Sequence, residues 1–212
     1  MRSYVSIILA VFCLCACSKK SDEDSPIVNH QNPVTYEPTE VGCPGAHYNN
    51  WEGSPYVLPY PVGVTYKVHL SHCSGSYHSD GRPDKFAVDF AMPIGSVITA
   101  ARRGEVVHVE ERGVDGEFPN NLIVIYHNDG TYAQYMHLTR FGAIPEIGDF
   151  VEKGDEIAYS GATGVAGYPH LHFVVTLDGW EYPYTSIAYN FSNTAPNPRG
   201  PEARTYYTAL PY

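Results

Sequence analysis

From Tyr66 onward, the sequence consists of short runs rich in β-branched and aromatic residues, separated by turn residues. Such runs are typical of β-strands, because these side chains pack well on a pleated surface. The runs cover residues 66–70, 86–91, 96–101, 105–110, 122–127, 131–138, 156–160 and 171–177. Asn128-Asp-Gly130, between two of them, is typical of a hairpin turn. No stretch keeps a helical period over three turns, so the sequence predicts an all-β fold with little helix.

The last of these runs is preceded by a histidine and contains another, His170 and His172. Side chains alternate between the two faces along a strand, so histidines two positions apart point to the same side. One of them could then bind a metal while the other faces the same substrate. Paired histidines also occur as ordinary polar positions on a sheet, so the pair indicates a site only together with other residues.

Length and charge narrow the class of protein. The chain has 212 residues, enough for one domain with a sizeable core. Its formal net charge is −10 at pH 7. Because binding to phosphate groups needs clustered Lys and Arg, this composition argues against nucleic acid as a partner.

The N-terminal segment has the features of an export signal. Arg2 supplies a positive charge, and residues 5–16 form an apolar stretch too short to span a bilayer comfortably. The stretch is followed by Cys17, and the sequence Leu-Cys-Ala-Cys there resembles a bacterial lipobox. This resemblance implies a lipoprotein signal peptide at 1–16 and lipidation of Cys17; an ordinary secretory signal peptide is the alternative. Residues 17–44 lack apolar periodicity, which predicts a flexible tether.

Five cysteines are present, and three of them belong to this N-terminal segment. Cys43 and Cys73 remain. An even pair of cysteines in an exported protein is expected to form a disulfide, with two free thiols as the alternative. Neither cysteine has a second one at metal-ligand spacing, so a cysteine–zinc site is not expected.

Four further segments stand in a fixed order along the chain. They are Tyr77-His-Ser with 86–95, then 100–107, then 132–138, and finally 148–173. They contain the patterns Gly-x-Val-Val, Tyr-x-His-Leu, Gly-Asp-x-Val, Ser-Gly-x-Thr-Gly and His-Leu-His-Phe. Taken together, the segments resemble the lysostaphin/LytM-type zinc endopeptidases.

The resemblance covers roughly residues 64–178. It implies an antiparallel β-sheet domain of the LytM/lysostaphin type (duplicated-hybrid-motif-like), with a groove on its open face. The expected domain spans 45–212, with its core at 64–178 and an aromatic, Pro-rich extension at 179–212. The sequence leaves open whether this extension packs over the sheet or forms a wall of the groove.

The resemblance also implies the roles of individual residues. His78, Asp89 and His172 would be the three ligands of one zinc ion, and His137 and His170 the catalytic histidines. The residue types agree with this chemistry, because catalytic zinc takes three nitrogen or oxygen ligands and leaves a fourth position for water.

The first ligand departs from the common family pattern. That pattern places a histidine four residues before the aspartate, where this chain has Lys85, and an ammonium group has no lone pair to donate. His78 instead precedes Asp89 by a longer loop, which fits a variant form of the family. His72 and His69 are competing candidates for the first ligand.

Two acidic residues of the loop, Asp80 and Asp84, are expected to be turn-forming carboxylates. Of the remaining histidines, His108 is expected at the surface and His127 in a structural hydrogen bond.

The resemblance therefore implies a lipid-anchored, extracytoplasmic zinc endopeptidase acting on peptidoglycan stem peptides or cross-bridges. Its expected location is the cell envelope, on the outer-membrane or periplasmic side, with the N-terminal lipid as its contact with the membrane. The alternative is a non-catalytic regulator or cell-wall-binding module of the same fold. Such members typically lose ligands, whereas the histidines and aspartate named above are present here.

Overall fold

The structure is a computed structural model that describes residues 41–212. The expected signal peptide, the lipidation site Cys17 and the tether up to residue 40 lie outside the described residues. Within 41–212, no helix has both the length and the apolar character needed to cross a membrane.

Strands account for nearly all regular structure in the described part of the chain, beside one short turn of 3-10 helix at Trp51–Gly53. The strands are β1 (Thr65–Leu70), β2 (Val88–Ala91), β3 (Val97–Thr99), β4 (Gly104–Glu110), β5 (Leu122–Tyr126), β6 (Thr131–Met136), β7 (Leu138–Ala143), β8 (Phe150–Val151), β9 (Glu156–Ser160), β10 (His170–Leu177), β11 (Thr185–Ser186) and β12 (Tyr206–Thr208). The prediction of an all-β fold is confirmed.

These strands form two antiparallel sheets. The larger sheet has the order β12-β1-β2-β10-β6-β5-β4-β8, with β11 paired to β10, and the smaller has the order β3-β9-β7. Every strand pair in both sheets is antiparallel. Strand β10 therefore lies inside the larger sheet, between β2 and β6.

The two faces of β10 have different surroundings. Leu171, Phe173 and Val175 are fully buried in the main hydrophobic core. Burying an aromatic or branched side chain of this size contributes about 2–3 kcal/mol, so these residues fix which face of the strand turns inward. The alternate residues, among them His170 and His172, consequently project from the opposite face.

The C-terminal extension contributes residues to the hydrophobic core and a strand to the larger sheet. Tyr189 and Phe191 are buried in the main core, and β12 adds Tyr207 to the edge of the sheet opposite Tyr66. Another residue of the extension, Tyr184, reaches the face of the sheet that carries the histidines. The extension thus both completes the core and contributes to the functional face.

One run of the sequence divides in the structure. The strand expected at 131–138 is interrupted at His137, where φ is +64°. This left-handed backbone is uncommon for a residue with a side chain, and it separates β6 from β7. The turn at His137 sends the following residues, as β7, into the smaller sheet.

The disulfide expected from the cysteine count is present between Cys43 and Cys73. It ties the start of the described chain to the loop between β1 and β2.

The structural role expected for His127 is also confirmed, because its Nδ1 lies 2.8 Å from the carbonyl oxygen of Arg103. His108 is partly buried rather than freely exposed, since its ring stacks on that of Trp180 at 4.3 Å.

Candidate metal centre

Antiparallel pairing between β2 and β10 brings the two strands of the site together. His172 lies opposite Asp89 in the register, so the two side chains project from the same face of the sheet. Met136, at the end of β6, lies opposite His172 on the other side, and the next residue is His137. The loop between β1 and β2 supplies His78.

The atoms of three of these side chains converge. Oδ1 of Asp89 lies 2.9 Å from Nδ1 of His172 and 3.2 Å from Nε2 of His78. One ligand atom from each residue can be chosen so that all lie within 4.8 Å of one another. All three residues are buried, with relative exposures of 1% for His78, 4% for Asp89 and 7% for His172.

This donor set fits zinc. Two imidazole nitrogens and one carboxylate oxygen are ligands that zinc accepts in catalytic sites, where a fourth position stays open. A buried carboxylate surrounded by imidazole nitrogens is costly unless it is paired with a cation or well hydrogen-bonded. The imidazole N–H groups of His172 and His78 meet this requirement here, and a zinc ion at the same point would take their place as the partner of Asp89.

The structure places the three possible first ligands in different surroundings. His78 belongs to the cluster described above. His72 is buried elsewhere, with Nδ1 3.2 Å from the hydroxyl of Tyr48. His69 is exposed and its ring lies against that of Tyr168. Among the described residues, neither His72 nor His69 is part of a group that could hold a metal ion.

The two histidines expected to be catalytic lie next to the cluster. The rings of His137 and His170 are 4.6 Å apart, and His137, His170 and His172 form a second group of converging nitrogen atoms. His170 Nε2 is 3.7 Å from Oδ1 of Asp89. Both rings are therefore within reach of a substrate held at the same point.

Backbone carbonyls fix the protonation pattern of these two rings. Nδ1 of His170 lies 2.8 Å from the carbonyl oxygen of Tyr168, and Nδ1 of His137 lies 2.7 Å from that of Thr163. A carbonyl oxygen can only accept a hydrogen bond, so each Nδ1 must carry the proton. In the neutral rings, Nε2 is left with a free lone pair.

Burial also favours the neutral form. It lowers the pKa of His137 to about 3, and the nearby His172 and His170 add to this effect. Burial likewise lowers the pKa of His170, although the Asp89 carboxylate opposes the shift. Both side chains are consequently able to accept a proton at neutral pH.

The pKa values of Asp89 and His172 are shifted in opposite directions. Burial by itself would raise the pKa of Asp89, but hydrogen bonds from His172 and His78 outweigh it and lower the pKa. Burial would likewise lower the pKa of His172, but its hydrogen bonds with Asp84 and Asp89 raise it instead. The cluster thus keeps Asp89 ionised, which is the form that binds a metal ion.

Sequence reasoning missed two residues of the site. The main chain of Asp84 forms a turn as expected, but its carboxylate also lies 3.2 Å from Nε2 of His172. The hydroxyl of Tyr184 donates a hydrogen bond to the same carboxylate. Nothing in the local sequence distinguishes Asp84 from Asp80, which lies in the same loop but whose carboxylate contacts only Gly81 and Lys85 among the described residues.

An all-β domain with buried His, Asp and His side chains beside two further histidines defines a candidate metallohydrolase. Residues 84–182 match the model of peptidase family M23. The resemblance drawn from the ordered motifs is confirmed by this match. His78 precedes the matched residues, so its place in the site rests on geometry.

Several named proteins are similar in sequence to part of this chain. Lysostaphin of Staphylococcus simulans is 33% identical over 126 residues, which cover 59% of this chain and 21% of lysostaphin. Peptidoglycan DD-endopeptidase ShyB of Vibrio cholerae is 38% identical over 87 residues, which cover 41% of this chain and 19% of the relative. The alignments thus span about a fifth of the length of these curated relatives.

Solved structures also align with part of this chain. The structure of the antimicrobial peptidase lysostaphin from Staphylococcus simulans aligns at 30% identity with a TM-score of 0.45. The alignment covers 57% of this chain and 47% of that one.

Proposed function

We propose that this chain is a zinc-dependent endopeptidase that hydrolyses peptide bonds in the stem peptides or cross-bridges of peptidoglycan. The observation that carries the proposal is the convergence of His78, Asp89 and His172 in a chain whose residues 84–182 match the model of peptidase family M23. The names of its relatives support the substrate class, since one is a peptidoglycan DD-endopeptidase and another a glycyl-glycine endopeptidase.

In this proposal, Nε2 of His78, a carboxylate oxygen of Asp89 and Nδ1 of His172 hold the metal. These are the atoms that face one another in the cluster. Zinc bound there would supply Lewis-acid chemistry, polarising the scissile carbonyl group and lowering the pKa of the attacking water.

His170 and His137 are the proposed groups for proton transfer and charge stabilisation. Each donates its Nδ1–H to a backbone carbonyl, so the lone pair on each Nε2 points in a fixed direction. We assign His170 as the base that accepts a proton from the attacking water, because its Nε2 lies near Oδ1 of Asp89. The proton that His170 accepts can then return to the leaving amine, and His137 can stabilise the charge on the carbonyl oxygen once its own Nε2 has taken up a proton.

The turn at His137 serves this role. Its left-handed backbone is anchored because its amide nitrogen donates a hydrogen bond of 3.0 Å to Oδ1 of Asn120. A conformation of this kind costs of order 1 kcal/mol and persists only where the surroundings impose it. The result is that the His137 ring is held over the same face as His170 rather than following the alternation of β6.

The location proposed for the protein is extracytoplasmic, in the cell envelope. The Cys43–Cys73 disulfide supports this location, because disulfides persist in oxidising compartments. We also propose that the chain is anchored to a membrane by lipid on Cys17. Peptidoglycan peptides are the proposed partners.

Hydrolysis of defined cell walls tests the proposal. Purified, zinc-loaded protein should release new amine and carboxyl termini from peptidoglycan, and mass spectrometry of the resulting muropeptides would identify the bond cut. The Asp89→Ala variant should release none. Zinc-loaded wild-type protein that binds walls without cutting any peptide bond would instead indicate a non-catalytic regulator or wall-binding module.

A further inference from the structure

The ring of His172 has carboxylates at both of its nitrogen atoms. Nδ1 faces Oδ1 of Asp89 at 2.9 Å, and Nε2 faces Oδ1 of Asp84 at 3.2 Å. The proposed zinc site uses only the Nδ1 side. Asp84 is therefore a second acidic group, on the far side of the ring from the metal.

A histidine that binds zinc through Nδ1 must carry its remaining proton on Nε2. Metal-binding histidines usually donate that proton to a carboxylate or carbonyl, which fixes the ring orientation and makes the ligand atom more basic. Asp84 is positioned to accept such a hydrogen bond. Without this contact, the ring could rotate about its bond to Cβ, and the free energy of metal binding would have to restrain it.

Asp84 is itself held in place from a distant part of the chain. The hydroxyl of Tyr184 donates a hydrogen bond to Oδ1 of Asp84, 100 residues earlier in the sequence. The ring of Tyr184 packs against a small apolar cluster on the functional face, formed by Ala87, Met136 and Val174. Since Val174 follows His172 on the same face of β10, this packing places Tyr184 beside the site.

We infer that Asp84 and Tyr184 position His172 for zinc: Asp84 accepts the Nε2–H of the ring, and Tyr184 holds the Asp84 carboxylate in place. The inference rests on the proposed zinc site. It makes the C-terminal extension part of the metal centre, because Tyr184 belongs to that segment. Asp84 acts as a positioning residue and not as a ligand, and no metal-binding group of the described residues includes it.

The surroundings of Asp84 support this role. Its side chain has a relative exposure of 20%, against 67% for Asp80 in the same loop. The Asp80 carboxylate accepts a hydrogen bond from the amide of Gly81 and lies 3.4 Å from the Lys85 ammonium group, and it has no contact with a histidine in the described part of the chain. An exposed ion pair of this kind contributes little. Asp80 is therefore a matched control, a carboxylate from the same loop that does not touch the site.

Zinc affinity tests the inference independently of activity. The dissociation constant of zinc would be measured by competition with a chelator for the wild-type protein and for the Asp84→Asn, Tyr184→Phe, Asp80→Asn and Tyr182→Phe variants. We expect Asp84→Asn to weaken zinc binding by about 10- to 100-fold. Tyr184→Phe should weaken it by less, because the carboxylate remains. Asp80→Asn and Tyr182→Phe should match the wild type.

A second readout separates positioning from general stability. In zinc-loaded protein labelled with 15N-histidine, the Nε2–H of His172 should give a signal protected from exchange with water. Asp84→Asn should shift this signal or increase its exchange, while Asp80→Asn should leave it unchanged. A variant that was only less stable would not alter the signal in the folded, zinc-loaded state.

The outcomes distinguish this inference from the proposed function. If the wild-type protein fails to bind zinc, the proposed function itself is wrong. If it binds zinc and Asp84→Asn binds equally well, only the role of Asp84 is overturned. Weaker binding by Asp84→Asn with an unchanged His172 signal would also overturn it, because the loss would not pass through the hydrogen bond.

Discussion

Nδ1 of His172 lies 2.9 Å from Oδ1 of Asp89, although the two residues are 83 positions apart in the chain. The contact follows from a register in which β2 and β10 pair directly and place these two residues opposite each other. A shift of that register by one residue would turn one of the two side chains to the other face of the sheet. The proposed metal centre therefore depends on the same buried residues that fix the pairing of the two strands.

Replacing His78 should remove zinc, because its Nε2 is the third member of the converging group. We expect His78→Ala to lower zinc affinity by at least about 100-fold, the scale on which changes near a metal site act. His69→Ala is the matched control, since His69 belongs to the same region but is exposed. Chelator competition measures both. Loss of zinc from the His69 variant instead would assign the first ligand differently.

Replacing either proposed catalytic histidine should separate zinc binding from hydrolysis. We expect His170→Ala and His137→Ala to retain one zinc per chain and to lose hydrolysis by about 10²- to 10⁴-fold, as for the loss of a general acid or base. Zinc content by atomic absorption and muropeptide release measure the two properties. Hydrolysis at the wild-type rate by either variant would remove that histidine from the mechanism.

The buried His127 should make stability depend on pH. Burial lowers its pKa to about 4, although the hydrogen bond with the Arg103 carbonyl opposes this shift. In the unfolded chain its pKa is about 6.5, so the unfolded state binds the proton more readily. The stability due to the neutral ring is thus fully present above about pH 6.5 and is lost as the pH falls towards 4. The full effect is about 3 kcal/mol.

Urea unfolding at pH 7 and pH 4.5 would measure this contribution. His127→Gln should lose less free energy of unfolding than the wild type over this interval, since the group that titrates is absent. His47→Gln changes an exposed histidine and should behave as the wild type does. Equal losses for the wild type and the His127 variant would show that the ring takes up a proton as readily in the folded state as in the unfolded state, which would contradict the lowered pKa.

Removing the disulfide should lower stability. Cys43 and Cys73 close a loop with a sequence separation of 30 residues, and cross-linking such a loop is expected to contribute about 4 kcal/mol. The double variant Cys43→Ser/Cys73→Ser should therefore unfold at a lower temperature in differential scanning calorimetry. Wild-type protein treated with a reductant should approach the same value. An unchanged unfolding temperature in both would mean that the loop is restrained without the covalent bond.

Much of the fold could be predicted because branched and aromatic residues alternate with turn signals along the chain. The run at 156–160 matches β9 residue for residue. The missed elements are short or depend on distant contacts. The final strand, Tyr206–Thr208, lies in a Pro-rich segment and forms only by pairing with the edge strand Thr65–Leu70. The break at His137 depends on Asn120, 17 residues away.

The site was predictable where one residue type carries the chemistry at a recognisable spacing. His170 and His172 are such a pair, and the structure places both beside Asp89. Asp84 and Tyr184 were not predictable, because an aspartate in a turn and a tyrosine in a Pro-rich segment have no local signature. Their contact exists only once the extension has packed across the sheet.

The central claim is that His78, Asp89 and His172 together hold one zinc ion. Crystals of the zinc-loaded protein, measured on both sides of the zinc absorption edge, would locate the metal by its anomalous scattering. We expect a single strong peak within coordinating distance of Nε2 of His78, the Asp89 carboxylate and Nδ1 of His172. A peak at other residues, or no peak in protein that had been given zinc, would show that these three side chains do not form the zinc site.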